Sequence, residues 1–197
     1  MNYYNTYARY SNRDQLAYQY EKYYNLYHNH PDLFNNKKVL DFGAGFGELS
    51  FLLKDSVKSI DVYDPSKANN DILKRIFKKS GVGIVEKQQD LYMNYYDTVL
   101  IICVLEMVSD YKSLLNTLIR NMVGKTFIIM NSTITDRNMD FTPNETRLYT
   151  EKTCNKFSDV DIYGYNYSET YSLILHKRDA LHNEKEVFVI DSLNGHN

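Results

Sequence analysis

Apolar and polar residues alternate along the middle of the chain in blocks that predict strands and helices in turn. Short apolar runs predict five strands: Val39–Phe42, Val57–Tyr63, Ile84–Lys87, Asp97–Cys103 and Thr126–Met130. Between these runs, apolar residues recur every three or four positions, which is the spacing of a helix with one buried face. The fourth run is strongly apolar, as is typical of a central strand buried on both sides. Alternation of this kind predicts a parallel sheet with right-handed crossover connections.

Three of the predicted helices can be located from their own residues. The first is short, Glu48–Leu53, and follows the first strand directly. The second carries an apolar stripe at helical spacing, made of Ile72, Leu73, Ile76 and Phe77. The third is an amphipathic segment that ends at Met122, and we expect Gly124 to close it before the fifth strand.

The two ends of the chain depart from this alternation. Near the N-terminus, Ser11-x-x-Asp14 is a helix start signal, and Pro31 ends the helical pattern that follows it. After the fifth strand, Asp159–Tyr163 and Thr170–His176 are β-rich and separated by Gly164-Tyr165-Asn166, which predicts an antiparallel hairpin at a sheet edge. We therefore expect a helical cap at 1–36, a main domain at 37–178 and a C-terminal extension at 179–197.

Composition narrows the classes of function. With 197 residues, 43% hydrophobic and 24% charged, the chain has the size and balance of one globular domain. A net charge of −2 and a pI near 6.2 give no overall basic footprint for a polyanion, although a local basic patch is compatible with both. Because the chain opens on the polar and aromatic residues Met1-Asn2-Tyr3-Tyr4, we expect no signal peptide, and no apolar run approaches the ~20 residues that cross a bilayer. We expect a cytoplasmic protein with no membrane partner.

The most specific chemical signal is a glycine-rich turn after the first predicted strand. Asp41 and Phe42 lead from the strand into Gly43-Ala44-Gly45-Phe46-Gly47, and the helical pattern begins at Glu48. Glycines allow the backbone to turn sharply and allow a ligand to lie against the main chain, where a Cβ would collide. The turn is therefore a candidate binding site for a cofactor.

Two aspartates follow the next strands, where ligands of open parallel sheets bind. Asp64 ends the second strand, 21 residues after Gly43, and its carboxylate can accept both hydroxyl protons of a ribose. Asp90 follows the third strand and could accept from an adenine amine, with Leu91 against the ring. NAD sites also place an acidic residue at about this distance from their glycines. Here, however, the third glycine comes one residue earlier than the NAD motif requires. Asp41 would also repel a pyrophosphate and tolerate a cationic amine.

These motifs, with Tyr96-Asp97 and the Leu105-Glu106-x-Val108-x-Asp110 signature after the fourth strand, resemble the class I S-adenosylmethionine-dependent methyltransferases. The resemblance covers residues 36–131 well and 140–177 loosely. It implies an α/β, Rossmann-like three-layer sandwich with a seven-stranded, mostly parallel sheet. The implied strand order is 3-2-1-4-5-7-6, with strand seven antiparallel.

The resemblance also implies S-adenosylmethionine as cofactor and suggests the residues that hold it. The turn would hold the methionine end, the second strand end the ribose, and the third the adenine, while the end of the fourth strand would lie beneath the sulfonium. In that order, the predicted cofactor-binding residues are Asp41, Phe42, Gly43, Ala44 and Gly45; Asp64 and Pro65; Asp90 and Leu91; Ile102 and Cys103.

The acceptor of the methyl group is less clearly indicated. No Asn/Asp-Pro-Pro-Tyr follows the fourth strand, which disfavours methylation of DNA base amines, and Met107 stands where many relatives have histidine. No Cys/His cluster has the spacing of a metal site. His28 and His30 are expected on the surface, so no catalytic residue is assigned. We expect in-line transfer to oxygen or nitrogen of a small molecule. RNA or cap methylation and a catalytically silent partner subunit are the alternatives.

Overall fold

A computed structural model of the chain describes residues 24–93, 95–121, 123–132, 152, 160–167 and 170–177. Most of the predicted cap, residues 133–150 and the predicted extension at 179–197 lie outside the described residues, so the three domain boundaries stay predictions. The chain divides into two compact units, Met1–Gln88 and Gln89–Asn197. None of the described helices combines the length and the apolar character needed to cross a membrane.

The first unit is built on three parallel strands joined by two helical crossovers, as the alternating pattern predicts. In chain order its elements are β1 (Lys38–Phe42), α1 (Glu48–Leu53), β2 (Ser59–Tyr63), α2 (Lys67–Ile76) and β3 (Gly83–Ile84). β2 lies between β1 and β3, with Val39 beside Ile60 and Asp61 beside Gly83. β1 is buried from Val39 to Phe42, and β2 buries Ile60, Val62 and Tyr63, which explains why apolar residues dominate both strands.

Helix α2 shows why only part of its predicted apolar stripe is correct. Leu73 and Phe77, one turn apart, are buried, whereas Ile76 in the neighbouring row is 48% exposed. The buried row packs against the glycine turn, because a Cβ placed on Gly47 would lie within 3 Å of both side chains. A helix buries only the row that meets its neighbour, so an apolar residue beside that row remains in solvent.

The segment before β1 contains a prediction that is wrong. Residues 24–29 are helical, and a 3-10 turn at Pro31–Leu33 follows, so the helix ends near proline as expected. His30, expected on the surface, is only 3% exposed, and its burial lowers the pKa of its imidazole. It lies between the buried Leu26 and Phe34, which draw this part of the chain inwards. His28 is exposed and stacks on Tyr24.

The second unit contains a parallel strand pair extended by an antiparallel hairpin. Its elements are α3 (Gln88–Leu91), β4 (Tyr95–Ile102), a 3-10 turn (Leu105–Met107), α4 (Tyr111–Asn121), β5 (Val123–Ser132), β6 (Val160–Tyr167) and β7 (Thr170–Lys177). β4 pairs with β5 in parallel, β5 with β7 antiparallel, and β7 with β6 antiparallel. The predicted hairpin is therefore confirmed within this unit.

Two glycine positions that were expected to end or separate elements lie inside strands instead. Gly164-Tyr165-Asn166 belongs to β6 and pairs with β7, so the chain reverses after Tyr167. Gly124 pairs with Tyr96 inside β5, so it does not close the preceding helix. In both places β-branched and aromatic neighbours favour the strand more than one glycine disfavours it. The third strand is also shorter than predicted, at Gly83–Ile84.

Candidate cofactor-binding site

The glycine turn at the end of β1 adopts the backbone conformation for which glycine is suited. Gly43, Gly45 and Gly47 have φ of 77°, 58° and 81°, all in the left-handed region that costs other residues ~1–2 kcal/mol. The amides of Gly43 and Ala44 donate to the carbonyl of Tyr63 at 2.7 and 3.0 Å. These bonds fasten the turn to the end of β2, so the two strand ends form one structure.

The third glycine serves packing in addition to the turn itself. A Cβ on Gly47 would lie 2.5 Å from Phe77 Cε2 and 2.9 Å from Leu73 Cδ2, closer than real Cβ contacts allow. Helix α2 can therefore approach the turn only because position 47 has no side chain.

Asp41 is a buried carboxylate in the last part of β1. It is 3% exposed and accepts a 2.6 Å hydrogen bond from Ser50 Oγ on α1. Burial raises the pKa of its carboxyl from 3.8 to about 6, with the Ser50 bond opposing the rise and the negative charges of Asp64 and Glu48 adding to it. The charged form of Asp41 is thus held at a cost, which a nearby cation would reduce.

Asp64 connects the glycine turn to the start of α2. Its Oδ2 accepts from the Gly45 amide at 3.0 Å, and its Oδ1 accepts from the Ser66 amide at 2.8 Å. Burial raises the pKa of this carboxyl, while the bonds from Ser66 and Gly45 oppose the rise. Because each carboxylate oxygen has two lone pairs, both oxygens can accept a further donor.

The electrostatics of this cluster favour a cationic ligand. Asp41 and Asp64 are buried and Glu48 is half-buried, and none of them forms an ion pair with a lysine or arginine of the described residues. The negative charges of these carboxylates repel one another. The sulfonium and ammonium groups of S-adenosylmethionine would reduce this repulsion, whereas a pyrophosphate would increase it. The glycine turn and its carboxylates therefore fit S-adenosylmethionine.

The remaining predicted residues belong to the second unit. Asp90 is exposed on α3, and Leu91 beside it is fully buried. Ile102 is the last residue of β4, and Cys103 follows it as a half-buried residue with φ of 53°, unusual for a residue with a side chain. The structure thus places Ile102 and Cys103 together at a strand end and Asp90 and Leu91 together on a helical turn.

Several residues that support the site were not predicted from the sequence. Ser50 supports Asp41, and the Asn70 amide donates from Nδ2 to the main-chain carbonyl of Asp64 at 2.6 Å. Ser66 could have been found, because serine before a helix is a preferred cap, and its side chain accepts from the Asn69 amide. Asn69 and Asn70 could not have been found in this way, because their contacts depend on which face of α2 meets the end of β2.

Comparison with known proteins gives the same family. A methyltransferase domain model matches residues 7–165, which is most of the chain. No curated protein matches the chain by sequence. Among solved structures, the 16S rRNA methylase ArmA superposes with a TM-score of 0.62 at 17% identity, covering 77% of this chain and 80% of its own.

Two other structures agree with this fold. The methyltransferase domain of bacterial CtHen1 has a TM-score of 0.65 at 17% identity and covers 80% of this chain and 97% of its own. The PH0226 protein of Pyrococcus horikoshii OT3 has a TM-score of 0.64 at 14% identity and covers 85% and 93%. At these identities the likeness concerns the fold, and the domain match supplies the family. The chain belongs to the methyltransferase domain family and is an S-adenosylmethionine-dependent methyltransferase of the Rossmann-like class I type.

Proposed function

We propose that this chain transfers a methyl group from S-adenosylmethionine to oxygen or nitrogen of a small-molecule acceptor. The main support for the cofactor site is a pair of buried carboxylates, Asp41 on β1 and Asp64 at the end of β2, which the glycine turn connects. The net charge of −2 favours a small acceptor over a polyanion. Two lysines of α2 also have acidic partners, in the pairs Lys67–Asp71 and Lys74–Glu86.

In this proposal the glycine turn and each strand end hold a different part of the cofactor. Asp41 and the turn residues Phe42, Gly43, Ala44 and Gly45 hold the methionine end, and Asp64 with Pro65 holds the ribose. Asp90 and Leu91 hold the adenine, and Ile102 and Cys103 lie beneath the sulfonium. The strand order 3-2-1-4-5-7-6 remains a prediction for the whole chain.

The protein's part in the chemistry is alignment. When bound, the cofactor supplies a methyl group that is already activated for displacement. The chain orients the partners and excludes water, and such alignment is worth roughly 7–11 kcal/mol in well-oriented reactions. An acidic acceptor, such as a phenol or carboxylate, needs little help from a general base.

Calorimetry with S-adenosylhomocysteine on the wild type and on Asp64→Ala tests the cofactor site. We expect the variant to bind at least about tenfold more weakly, because the ribose loses a charged acceptor. Asp64 also holds the amides of Gly45 and Ser66, so thermal unfolding of the variant must be measured alongside and should show a lower Tm. Asp71→Ala is the matched control, since it removes an exposed carboxylate from α2, the helix that follows Asp64.

The acceptor class is tested by methyl transfer to a panel of phenols, carboxylic acids and amines, with total RNA as a separate arm. Transfer to a member of the panel supports the proposal. Cofactor binding with no transfer to any acceptor would favour the silent-subunit alternative. A wild-type protein that binds neither S-adenosylmethionine nor S-adenosylhomocysteine would refute the site.

RNA is the second candidate acceptor, and the similarity to the 16S rRNA methylase ArmA favours it. The basic segment at the end of α2 also leaves Arg75, Lys78 and Lys79 exposed. RNA methylation that weakens steeply with salt would support this candidate over the small-molecule one.

A further inference from the structure

Asn69 lies in the first turn of α2, close to the proposed ribose site, and its side chain makes no hydrogen bond of regular geometry with the described residues. The residue is 3% exposed, and its Nδ2 is buried without a hydrogen-bond partner among the described residues. The cap of the helix uses the main chain of Asn69 instead, through its amide and Ser66 Oγ at 3.4 Å. A buried donor without an acceptor is costly, so its presence calls for a reason.

The neighbouring Asn70 shows what a structural asparagine does at this place. Its Nδ2 donates at 2.6 Å to the main-chain carbonyl of Asp64 and so ties α2 to the end of β2. The Asn69 side chain instead lies near the Asp64 carboxylate, where it lowers the pKa of that group without reaching regular hydrogen-bond geometry. The two asparagines thus approach the same aspartate, but only Asn70 makes a hydrogen bond of regular geometry to it.

The ligand that suits Asp64 and Asn69 together is a hydroxyl group. The carboxylate of Asp64 can only accept protons, and the Nδ2 of Asn69 can only donate them. A hydroxyl that donates its proton to Asp64 keeps lone pairs that can accept from Asn69. Carboxylate and amide side by side are therefore complementary to a sugar hydroxyl, whereas a phosphate would be repelled by Asp64.

We propose that Asn69 is a further cofactor-binding residue, which donates from Nδ2 to the oxygen of a ribose hydroxyl whose proton is donated to Asp64. This inference rests on the proposed function, because it concerns the same site. Nδ2 is covered in the free chain, so the ribose must displace what covers it as it docks. The donor has then already lost its water before binding, and the new bond does not incur that dehydration cost.

The test combines stability and binding in Asn69→Ala, with Asn70→Ala as its matched control. Asn69→Ala removes an unsatisfied donor and introduces a better helix former, so we expect its Tm to equal or exceed that of the wild type. Its affinity for S-adenosylhomocysteine should fall by about tenfold. Asn70→Ala should lower the Tm, because the carbonyl of Asp64 loses its bond.

A second ligand tests whether Asn69 contacts the nucleoside part of the cofactor. 5′-Methylthioadenosine has the same ribose and adenine but no amino-acid end, so Asn69→Ala should weaken both ligands by the same factor. Loss confined to S-adenosylhomocysteine would overturn the assignment to the ribose. Unchanged affinity, or a Tm drop like that of Asn70→Ala, would overturn the inference while leaving the cofactor site intact. Failure of the wild type to bind either ligand would instead refute the proposed function.

Discussion

Replacing Asp41 by asparagine should make the free protein more stable and a poorer binder of its cofactor. Asparagine has the same shape, and its Oδ1 can still accept the bond from Ser50 Oγ. What the change removes is a negative charge that is buried, faces Asp64 and Glu48, and has no cationic partner among the described residues. The negative charge of Asp41 therefore lowers the stability of the free protein, and we assign this charge to ligand binding.

The size of the effect follows from the pKa of Asp41. Burial raises it from 3.8 to about 6. Each pH unit corresponds to ~1.4 kcal/mol, so the ionised group destabilises the fold by up to about 3 kcal/mol. The new Nδ2 of asparagine needs an acceptor, which offsets part of the gain. A net stabilisation of about 1–2 kcal/mol at pH 8 corresponds to a Tm rise of roughly 2–8 °C for a chain of this length.

The pH dependence separates this cause from others. Folded protein binds the Asp41 proton more tightly than the unfolded chain does, so this group destabilises the fold progressively as the pH rises from about 4 to 6. Above that range the full cost is present. Denaturant unfolding of wild type and variant at pH 4.5, 6 and 8 should therefore show a stability difference that increases with pH. The other titrating groups largely cancel in this comparison.

Two results would refute this reasoning. One is a variant that is less stable than the wild type at pH 8. The other is a stability difference that stays constant across the pH series, because a charge-independent packing effect would behave in that way. Calorimetry should also show weaker S-adenosylmethionine binding by the variant at pH 8. An unchanged affinity would separate Asp41 from the cofactor.

Two further predictions concern the turn and its charge. Gly47→Ala should destabilise the chain by about 2–4 kcal/mol in denaturant unfolding, because left-handed strain adds to a collision with Phe77 and Leu73. Gly81→Ala is the control: it has φ of 78° but open space around its Cβ, so it should lose only about 1 kcal/mol. Equal losses in the two variants would contradict the packing role of Gly47. Wild-type affinity for S-adenosylmethionine, measured by calorimetry, should fall as the pH drops through about 6, because protonated Asp41 no longer attracts a cation. A flat profile would contradict this.

Much of the fold could be predicted from local patterns because each pattern has one dominant physical cause. The helix Glu48–Leu53 is observed with the predicted bounds, and the parallel strands follow the apolar runs. The errors occur where packing outweighs a local signal. Ile76 is exposed because the adjacent row of α2 meets the turn, and Gly164 lies inside β6 because its neighbours favour the strand. His30 is buried because it lies between Leu26 and Phe34, which are both buried.

The family, the glycine turn and the carboxylates at the strand ends could be predicted from local sequence, because glycine and aspartate at those positions act through the backbone and their own charge. The groups that surround them could not, because they come from other elements of the fold. The tertiary structure brought Ser50 to Asp41, both Gly45 and Ser66 to Asp64, and the unsatisfied amide of Asn69 to the same carboxylate. Such contacts depend on how a helix is rotated against a strand, and that rotation is set by packing across the whole unit.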